Sequence, residues 1–183
     1  MPTTITRISP ADNVADFCCG THALDSYLHR HAVRNDRAGI NCAYVLRRGE
    51  NDTKTLPEIL GFYTLSMASV EPSWLSDQYD FKLPKYPLPV VLIGRLAIDQ
   101  RAQRMRFGRH LLINAIETVL IVAESVGCIG TAVDAKNTAS AEFYGKYGFF
   151  PLGAENVWPQ QMYLSNSTAR IALSGIHKKD HRC

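Results

Sequence analysis

The sequence predicts an α+β (mixed α/β) fold: a single domain with a central mixed sheet flanked by helices, and a ligand-binding turn between the central strand and the helix after it. Three observations predict it. Val90-Val-Leu-Ile-Gly-Arg-Leu-Ala-Ile-Asp99 is a short apolar, β-branched run with the pattern of a buried strand. The charged, glycine-containing stretch Gln103-Arg-Met-Arg-Phe-Gly-Arg109 follows it closely, and Leu111, Leu112, Ala115, Ile116, Val119 and Leu120 then recur at helical spacing. In such a unit the backbone N–H groups of the turn, with the unpaired N–H groups at the helix start, form a site for phosphate or another anion.

The other elements follow from local signals. Residues 3–7 alternate weakly and read as a first strand, ended by residues 10–12, and Asp16-Phe-Cys-Cys-Gly20 turns into a helix. Thr21 suits the N-cap. Over residues 24–38 the apolar positions Leu24, Tyr27, Leu28 and Ala32 lie along one side at helical spacing, while Arg30, Arg34 and Arg37 lie along another. An arginine stripe of this kind is either a solvated face or a track for phosphates. Residues 41–48 hold the short strand Ala43-Tyr-Val-Leu46, polar residues 49–57 form a hairpin loop, and residues 58–66 return as an antiparallel partner. Residues 67–89 carry Pro72, Pro84, Pro87 and Pro89 among Trp74, Tyr79, Phe81 and Tyr86, which predicts an irregular segment with one helical turn after Pro72.

Beyond the central strand and its helix, residues 129–133 form the next strand, parallel to the central one because a helix joins them. Residues 135–138 loop into a helix over 138–147 that Gly148 ends. Residues 149–152 and 162–164 complete the sheet, and residues 168–174 form a last short helix. The domain spans 1–176, and residues 177–183 are a basic tail.

The 183 residues suit one domain with a full core, and 46% apolar with 20% charged content is that of a folded protein rather than a disordered one. The net charge of +3 permits an RNA partner without arguing for one. Five cysteines, odd in number and without paired metal-ligand spacing, disfavour a disulfide framework and a metal site and point to a reducing, cytoplasmic compartment. The first residues lack the apolar core of a signal peptide, and no apolar run approaches the ~20 residues of a membrane span.

Four stretches carry a family resemblance. Gly94-Arg-Leu-Ala-Ile-Asp99 with Gln103 and Gly108, and later Ala141-Glu-Phe-Tyr-Gly-Lys-Tyr-Gly-Phe149, resemble the GNAT N-acetyltransferases. Phe17-Cys-Cys-Gly-Thr-His-Ala-Leu-Asp-Ser-Tyr-Leu28 and Gly61-Phe-Tyr-Thr-Leu65 are most similar to the acetyltransferase toxins of bacterial toxin–antitoxin pairs. The resemblance runs from about residue 15 to about residue 175, in family order. One departure stands out. The toxins usually read Gln-Gly-x-Gly-x-Gly in the turn, and here Arg104 and Arg106 occupy the first two glycine positions. Glycine serves there because it adopts positive φ and lets backbone approach a ligand closely, neither of which is expected of arginine. Two readings follow: a natural variant whose charge draws in a pyrophosphate, or a copy that binds its cofactor weakly.

The resemblance implies acetyl transfer from acetyl-CoA to an amine by direct attack in a ternary complex. It implies that backbone groups of Leu96, Ala97 and Ile98 take the pantetheine amides and that Gln103, Arg104, Met105, Arg106, Phe107, Gly108 and Arg109 take the pyrophosphate. It places Tyr144 as the proton donor to the departing CoA thiolate, since a phenol of pKa near 10 is neutral at pH 7 and able to protonate it. Asn137 either contacts the pantetheine arm or only caps its helix. The toxin branch implies an aminoacyl-tRNA acceptor, acetylated at its α-amine so that translation stops, and a small antitoxin of ribbon-helix-helix type; it also allows a homodimer. Cations around the cleft would then hold the RNA backbone, with Arg30, Arg34, Arg37 and Arg95 as candidates and Tyr63 beside them; Lys82 and Lys85 are further cations. A GNAT enzyme acting on a small amine or protein amine, and a non-catalytic GNAT fold that only binds a partner, remain the alternatives.

Overall fold

The computed structural model describes residues 3–49, 56–153 and 157–180. Seven strands, β1 (Thr3–Arg7), β2 (Cys42–Arg48), β3 (Ile59–Val70), β4 (Leu88–Ile98), β5 (Gly130–Ala135), β6 (Phe150–Pro151) and β7 (Gln160–Ser165), form one mixed sheet in the order β1-β2-β3-β4-β5-β7-β6. The helices are α1 (His22–Arg30), α2 (Ala32–Arg37), α3 (Phe107–Ala123), α4 (Thr138–Gly145) and α5 (Asn166–Asp180). The predicted mixed α/β class, with helices flanking a mixed sheet, is the observed one. Most of the expected hairpin loop, residues 50–55, and the end of the expected tail, residues 181–183, lie outside the described residues. The chain divides into two compact units: Met1–Ser66 with Ile93–Ala115, and Met67–Leu92 with Ile116–Cys183.

In the first unit, β1 pairs antiparallel with β2 from Thr3↔Arg48 to Arg7↔Tyr44, and β2 pairs antiparallel with β3 with a register shift at Leu46/Arg47. Ala43 and Val45 of β2 and Ile59 and Phe62 of β3, with Phe17, Tyr27, Leu28 and Ala32, belong to one core cluster. Phe62 is fully buried in it, edge-on to Phe17 at 5.6 Å and stacked with Tyr27 at 6.2 Å. Gly61 is required here: a Cβ would meet the carbonyl oxygen of Ala97 at 2.8 Å and Ile98 Cδ1 at 2.6 Å.

The single helix expected over residues 24–38 is two helices, broken at His31 (φ −124, ψ −29). Tertiary bonds override the periodicity. Asp36 accepts from Ala43 N–H at 2.8 Å and pairs with Arg7 at 2.5 Å, which fastens α2 to the ends of β1 and β2. Arg30 therefore closes α1, whereas Arg34 and Arg37 belong to α2, and all three are exposed. Thr21 takes the extended N-cap conformation without a side-chain capping bond. β3 runs to Val70, past the end expected at Ser66, because Val70 is itself buried.

In the second unit, β5 pairs antiparallel with β7 from Gly130↔Ser165 to Ala135↔Gln160, and β6 adds to β7. Val70, Leu75, Leu88, Val90, Ala132, Leu152 and Tyr163 form its core. A 3₁₀ turn follows Pro72 as expected, and a second covers Ser76–Gln78. Tyr163 donates its hydroxyl proton to the Ile129 carbonyl at 2.8 Å, so the Tyr79 hydroxyl, also at 2.8 Å, donates to Tyr163. That relay ties the irregular segment to β7. Helix α4 ends at Gly145 rather than residue 147, because Tyr147 N–H bonds Tyr144 O and Gly148 N–H bonds Gly145 O in tighter three-residue turns. Helix α5 starts earlier and ends later than expected, taking in residues assigned to the tail. Ser165 Oγ accepts from Thr168 N–H at 3.1 Å at its start, and Ala169 and Leu173 bury its inner face.

Candidate active site

The turn after β4 begins with a 3₁₀ turn, Gln100–Ala102, capped by Asp99, whose side chain accepts from Arg101 N–H at 2.9 Å. Residues 103–106 follow, and α3 starts at Phe107, so Phe107, Gly108 and Arg109 form the first helical turn rather than the loop expected of them. Arg104 and Arg106 both have φ of 65°. This corrects the expectation that arginine would not adopt the left-handed backbone: both arginines occupy the conformation that glycine takes without strain, at a cost of roughly 1–2 kcal/mol each. Their side chains and that of Met105 are exposed, and Arg109 is half-buried.

These residues fit a diphosphate. The first N–H groups of a helix have no intrahelical acceptor, and here three guanidinium groups, from Arg104, Arg106 and Arg109, stand in and beside that end of α3. Gln103 is committed elsewhere: its side-chain amide donates to the carbonyls of Cys19 and Ile98, each at 3.2 Å. Its role in the turn is to hold it.

A dense set of bonds joins this turn to the motif at residues 16–28. Asp99, 0% exposed, accepts from Cys18 N–H at 2.9 Å and from the Arg101 guanidinium at 2.9 and 3.0 Å. Burial alone would raise the carboxyl's pKa, but the bonds from Arg101 and the Cys18 N–H outweigh it and hold Asp99 below the ordinary carboxylate range. Gln100 N–H donates to Cys18 O at 2.8 Å, Arg101 donates to Asp16 O, and Cys19 N–H donates to Asp25 at 2.8 Å. Burial, with the neighbouring Asp25 carboxylate, pushes the Cys19 thiol up to about 11, so it stays protonated and is no nucleophile at neutral pH.

Of the strand residues, Ala97 is buried and Leu96 and Ile98 are half-buried. Arg95, expected to line the acceptor cleft, lies with its guanidinium carbon 3.7 Å from the centroid of the Tyr27 ring, a close cation–π contact. Tyr63, expected beside the acceptor cleft, is fully buried. At 0% exposure it belongs to the core, stacked on Tyr44 at 4.9 Å with its hydroxyl donating to Asn114 Oδ1 at 2.8 Å. Arg34 lies 3.2 Å from His31 Nδ1, whereas Arg30 and Arg37 form no ion pair among the described residues.

In the second unit, Asn137 caps α4 in a reciprocal box: its Oδ1 accepts from Ser140 N–H at 2.9 Å, and its own N–H donates to Ser140 Oγ at 3.0 Å. The capping reading is thus met, and the Asn137 amide nitrogen is what remains for a ligand. Tyr144 is half-buried between Phe143 at 5.3 Å and Phe149 at 5.6 Å. Burial, aided by the charge of Asp134, pushes its phenol up to about 12. It is therefore a protonated donor at every physiological pH.

The family described as acetyltransferase (GNAT) matches residues 17–149. The chain belongs to the GNAT acetyltransferase family. A tRNA-acetylating toxin of Mycobacterium tuberculosis is 33% identical over 144 residues, 78% of this chain and 81% of that protein. Among solved structures, AtaT complexed with acetyl-methionyl-tRNAfMet superposes with a TM-score of 0.81 at 32% identity, covering 94% of this chain and 99% of that one. A mutant AtaT toxin bound to acetyl-CoA and the C-terminus of the antitoxin AtaR gives 0.75 at 29% identity, covering 95% and 99%. As a GNAT member the chain is an acetyl-CoA-dependent acetyltransferase by family. Among its described residues no helix is long and apolar enough to cross a membrane.

The GNAT motifs located the turn but not what fastens it. Nothing in their spacing marks Asp99, Gln100, Arg101 and Asp25 as partners of residues 16–19, and only the position of Asp99 before a turn-forming stretch hints at a capping carboxylate.

Proposed function

We propose that this chain transfers acetyl from acetyl-CoA to the α-amine of an aminoacyl group on tRNA, halting translation, and that a small antitoxin silences it. The observation that carries the reading is the left-handed backbone at both Arg104 and Arg106, which keeps the cofactor turn in the shape its glycines would give. The relatives named above, one acetylating tRNA and another seen with acetylated tRNA, an antitoxin or acetyl-CoA, support the acceptor and the partner.

The reading gives each residue a task. The backbone of Leu96, Ala97 and Ile98 takes the pantetheine amides; residues 103–109 take the pyrophosphate, with Arg104, Arg106 and Arg109 supplying charge and Gln103 bracing the turn. When bound, acetyl-CoA would supply the thioester whose acetyl carbon leaves sulfur for the amine nitrogen, and the proton that this nitrogen sheds makes good the one Tyr144 gives up. Tyr144 holds a proton at Oη for the departing thiolate. Burial and the charge of Asp134 hold that proton on the phenol. Arg30, Arg34 and Arg37 meet RNA phosphates from the exposed side of α1 and α2. Of the two readings of Arg104 and Arg106, weak cofactor binding draws no support from backbone conformation, since both residues hold the left-handed turn. The antitoxin is of ribbon-helix-helix type, and the enzyme acts as a homodimer in the cytoplasm.

The test is cell-free translation. Added protein should stop synthesis only when acetyl-CoA is present, and mass analysis should find acetyl on the aminoacyl amine. Replacing Arg30, Arg34 and Arg37 together by Ala should weaken tRNA binding and lower its log–log salt slope by about 0.7–0.9 per lost phosphate contact. Acetylation of a free amine or a protein N-terminus with translation undisturbed would return the chain to a generic GNAT enzyme. No acetyl transfer at all would make it a binding module.

A further inference from the structure

We propose that Asp99 is the positioning residue of the cofactor turn: its carboxylate locks residues 16–20 to the 3₁₀ turn Gln100–Ala102 and so holds Arg104 and Arg106 in the left-handed conformation that shapes the cradle. The inference rests on the acetyl-CoA reading of that turn. Two observations meet in it.

The first is strain. A non-glycine residue at φ of 65° persists only where its surroundings over-determine it, and two such residues stand here one position apart. Something adjacent must supply the constraint. The second is a fully buried carboxylate immediately before the turn, which is tolerable only when its oxygens are satisfied. Asp99 Oδ1 accepts from the Arg101 backbone N–H and from Nε, both at 2.9 Å, while Oδ2 accepts from Cys18 N–H at 2.9 Å and Arg101 Nη2 at 3.0 Å. Four donors on one buried carboxylate define its place and fix both segments to it.

Around that anchor the two segments are laced further. Gln100 N–H reaches Cys18 O, Gln103 reaches Cys19 O, and Arg101 Nη2 also reaches Asp16 O. Gly20, at φ of 88°, brings its backbone so close that a Cβ would lie 2.4 Å from Gln100 Nε2. Each bond enters the turn on its N-terminal side, between residues 99 and 103, and α3 holds the other side from Phe107 onward. Residues 104–106 are the span between two fixed ends. Release of the Asp99 end lets both arginines relax to negative φ, and the N–H groups they aim then turn away.

The test combines Asp99→Ala, Asp99→Asn and Arg101→Ala with a control, Tyr79→Phe, which removes a hydrogen bond in the other unit. Acetyl-CoA itself is the probe. By calorimetry Asp99→Ala should raise the acetyl-CoA dissociation constant by about 10–100-fold, the scale of a displaced binding group, with KM for acetyl-CoA rising alike and kcat at saturation nearly unchanged. Asp99→Asn, which keeps an acceptor oxygen, should fall between Asp99→Ala and the native chain. Hydrogen exchange should quicken at the amides of residues 17–20 and 100–109 and nowhere else. Should Asp99→Ala fail to fold, Arg101→Ala, at an exposed side chain, carries the same comparison with a smaller effect of the same sign. Unchanged affinity and exchange in the Asp99 and Arg101 variants, or an equal loss of affinity in Tyr79→Phe, overturns the proposal. If the native chain takes up no acetyl-CoA, that reading of the turn fails. The exchange pattern still decides the lock, confined quickening supporting it and uniform protection removing it.

Discussion

Residues 98–109 are fastened by bonds to a segment 81 residues away in the chain, whereas the helix that carries Tyr144 is specified within its own eight residues and the cap before them. The turn is polar, multiply hydrogen-bonded and centred on a buried charge. Helix α4 buries no residue fully and is flanked by ring contacts and a local capping box. The difference follows from what each part must do. A phosphate cradle needs several backbone dipoles in fixed register, so its geometry has to be over-determined. A proton donor needs one protonated hydroxyl, and a half-buried phenol beside a carboxylate is that already.

The largest expected effect separates the two regions directly. Tyr144→Phe should lower turnover by about a hundredfold or more, the scale of a lost general acid, and leave acetyl-CoA affinity and thermal stability nearly unchanged, because the hydroxyl makes no hydrogen bond among the described residues. Steady-state kinetics with a binding titration checks it. The raised pKa adds a second reading of the same experiment: the native phenol stays protonated up to about 12, so a fall in kcat between pH 8 and 10 would have to come from another group.

The same contrast explains what the sequence disclosed. Helix α4 was legible because its signals are local: Asn137 with Ser140 three residues on is a capping pattern, and the glycine at 148 ends the turn. The strand, turn and helix over residues 90–120 were legible from periodicity for the same reason. The lock on that turn was not, since nothing in the spacing of Cys18 and Asp99 says that they meet. The break at His31 was hidden likewise, because its cause is Asp36 binding Ala43 and Arg7 rather than any helix breaker. The burial of Tyr63 was hidden for a related reason: an aromatic in a functional motif can serve the core, and this one stacks on Tyr44 opposite it in β2.

Acid titration should break the turn and spare the helix. The folded-state pKa of Asp99 is depressed, so its contribution is fully present above its unfolded value near 3.9 and is lost as pH falls through the lower folded value. Below about pH 4 the native chain should therefore lose stability with a component that Asp99→Asn lacks, a difference in slope of up to ~1.4 kcal/mol per pH unit. Denaturant unfolding from pH 5 down to 2 measures it. Parallel slopes for the two proteins would mean that Asp99 is no more strongly held than an ordinary carboxylate.

The smallest effect tests whether the arginines of the turn are tolerated or used. Glycine at positions 104 and 106 would remove a left-handed penalty of roughly 1–2 kcal/mol each, but it also frees the unfolded chain and gives back about 0.5–1 kcal/mol each. The variant carrying Arg104→Gly and Arg106→Gly should therefore be more stable than the native chain by about 1.5 kcal/mol in total, seen as a shift of roughly 3–6 °C in Tm for a domain of this size. Binding should move the other way. Because both backbones already have φ of 65°, glycine improves no geometry and removes two guanidinium groups from a site for phosphates. Acetyl-CoA should bind the variant more weakly, by up to about tenfold at low salt, with the gap closing as salt screens the lost charges. Tighter binding by the variant at every salt concentration would mean instead that the arginine side chains obstruct the cradle, and that the strain they carry has bought this chain nothing.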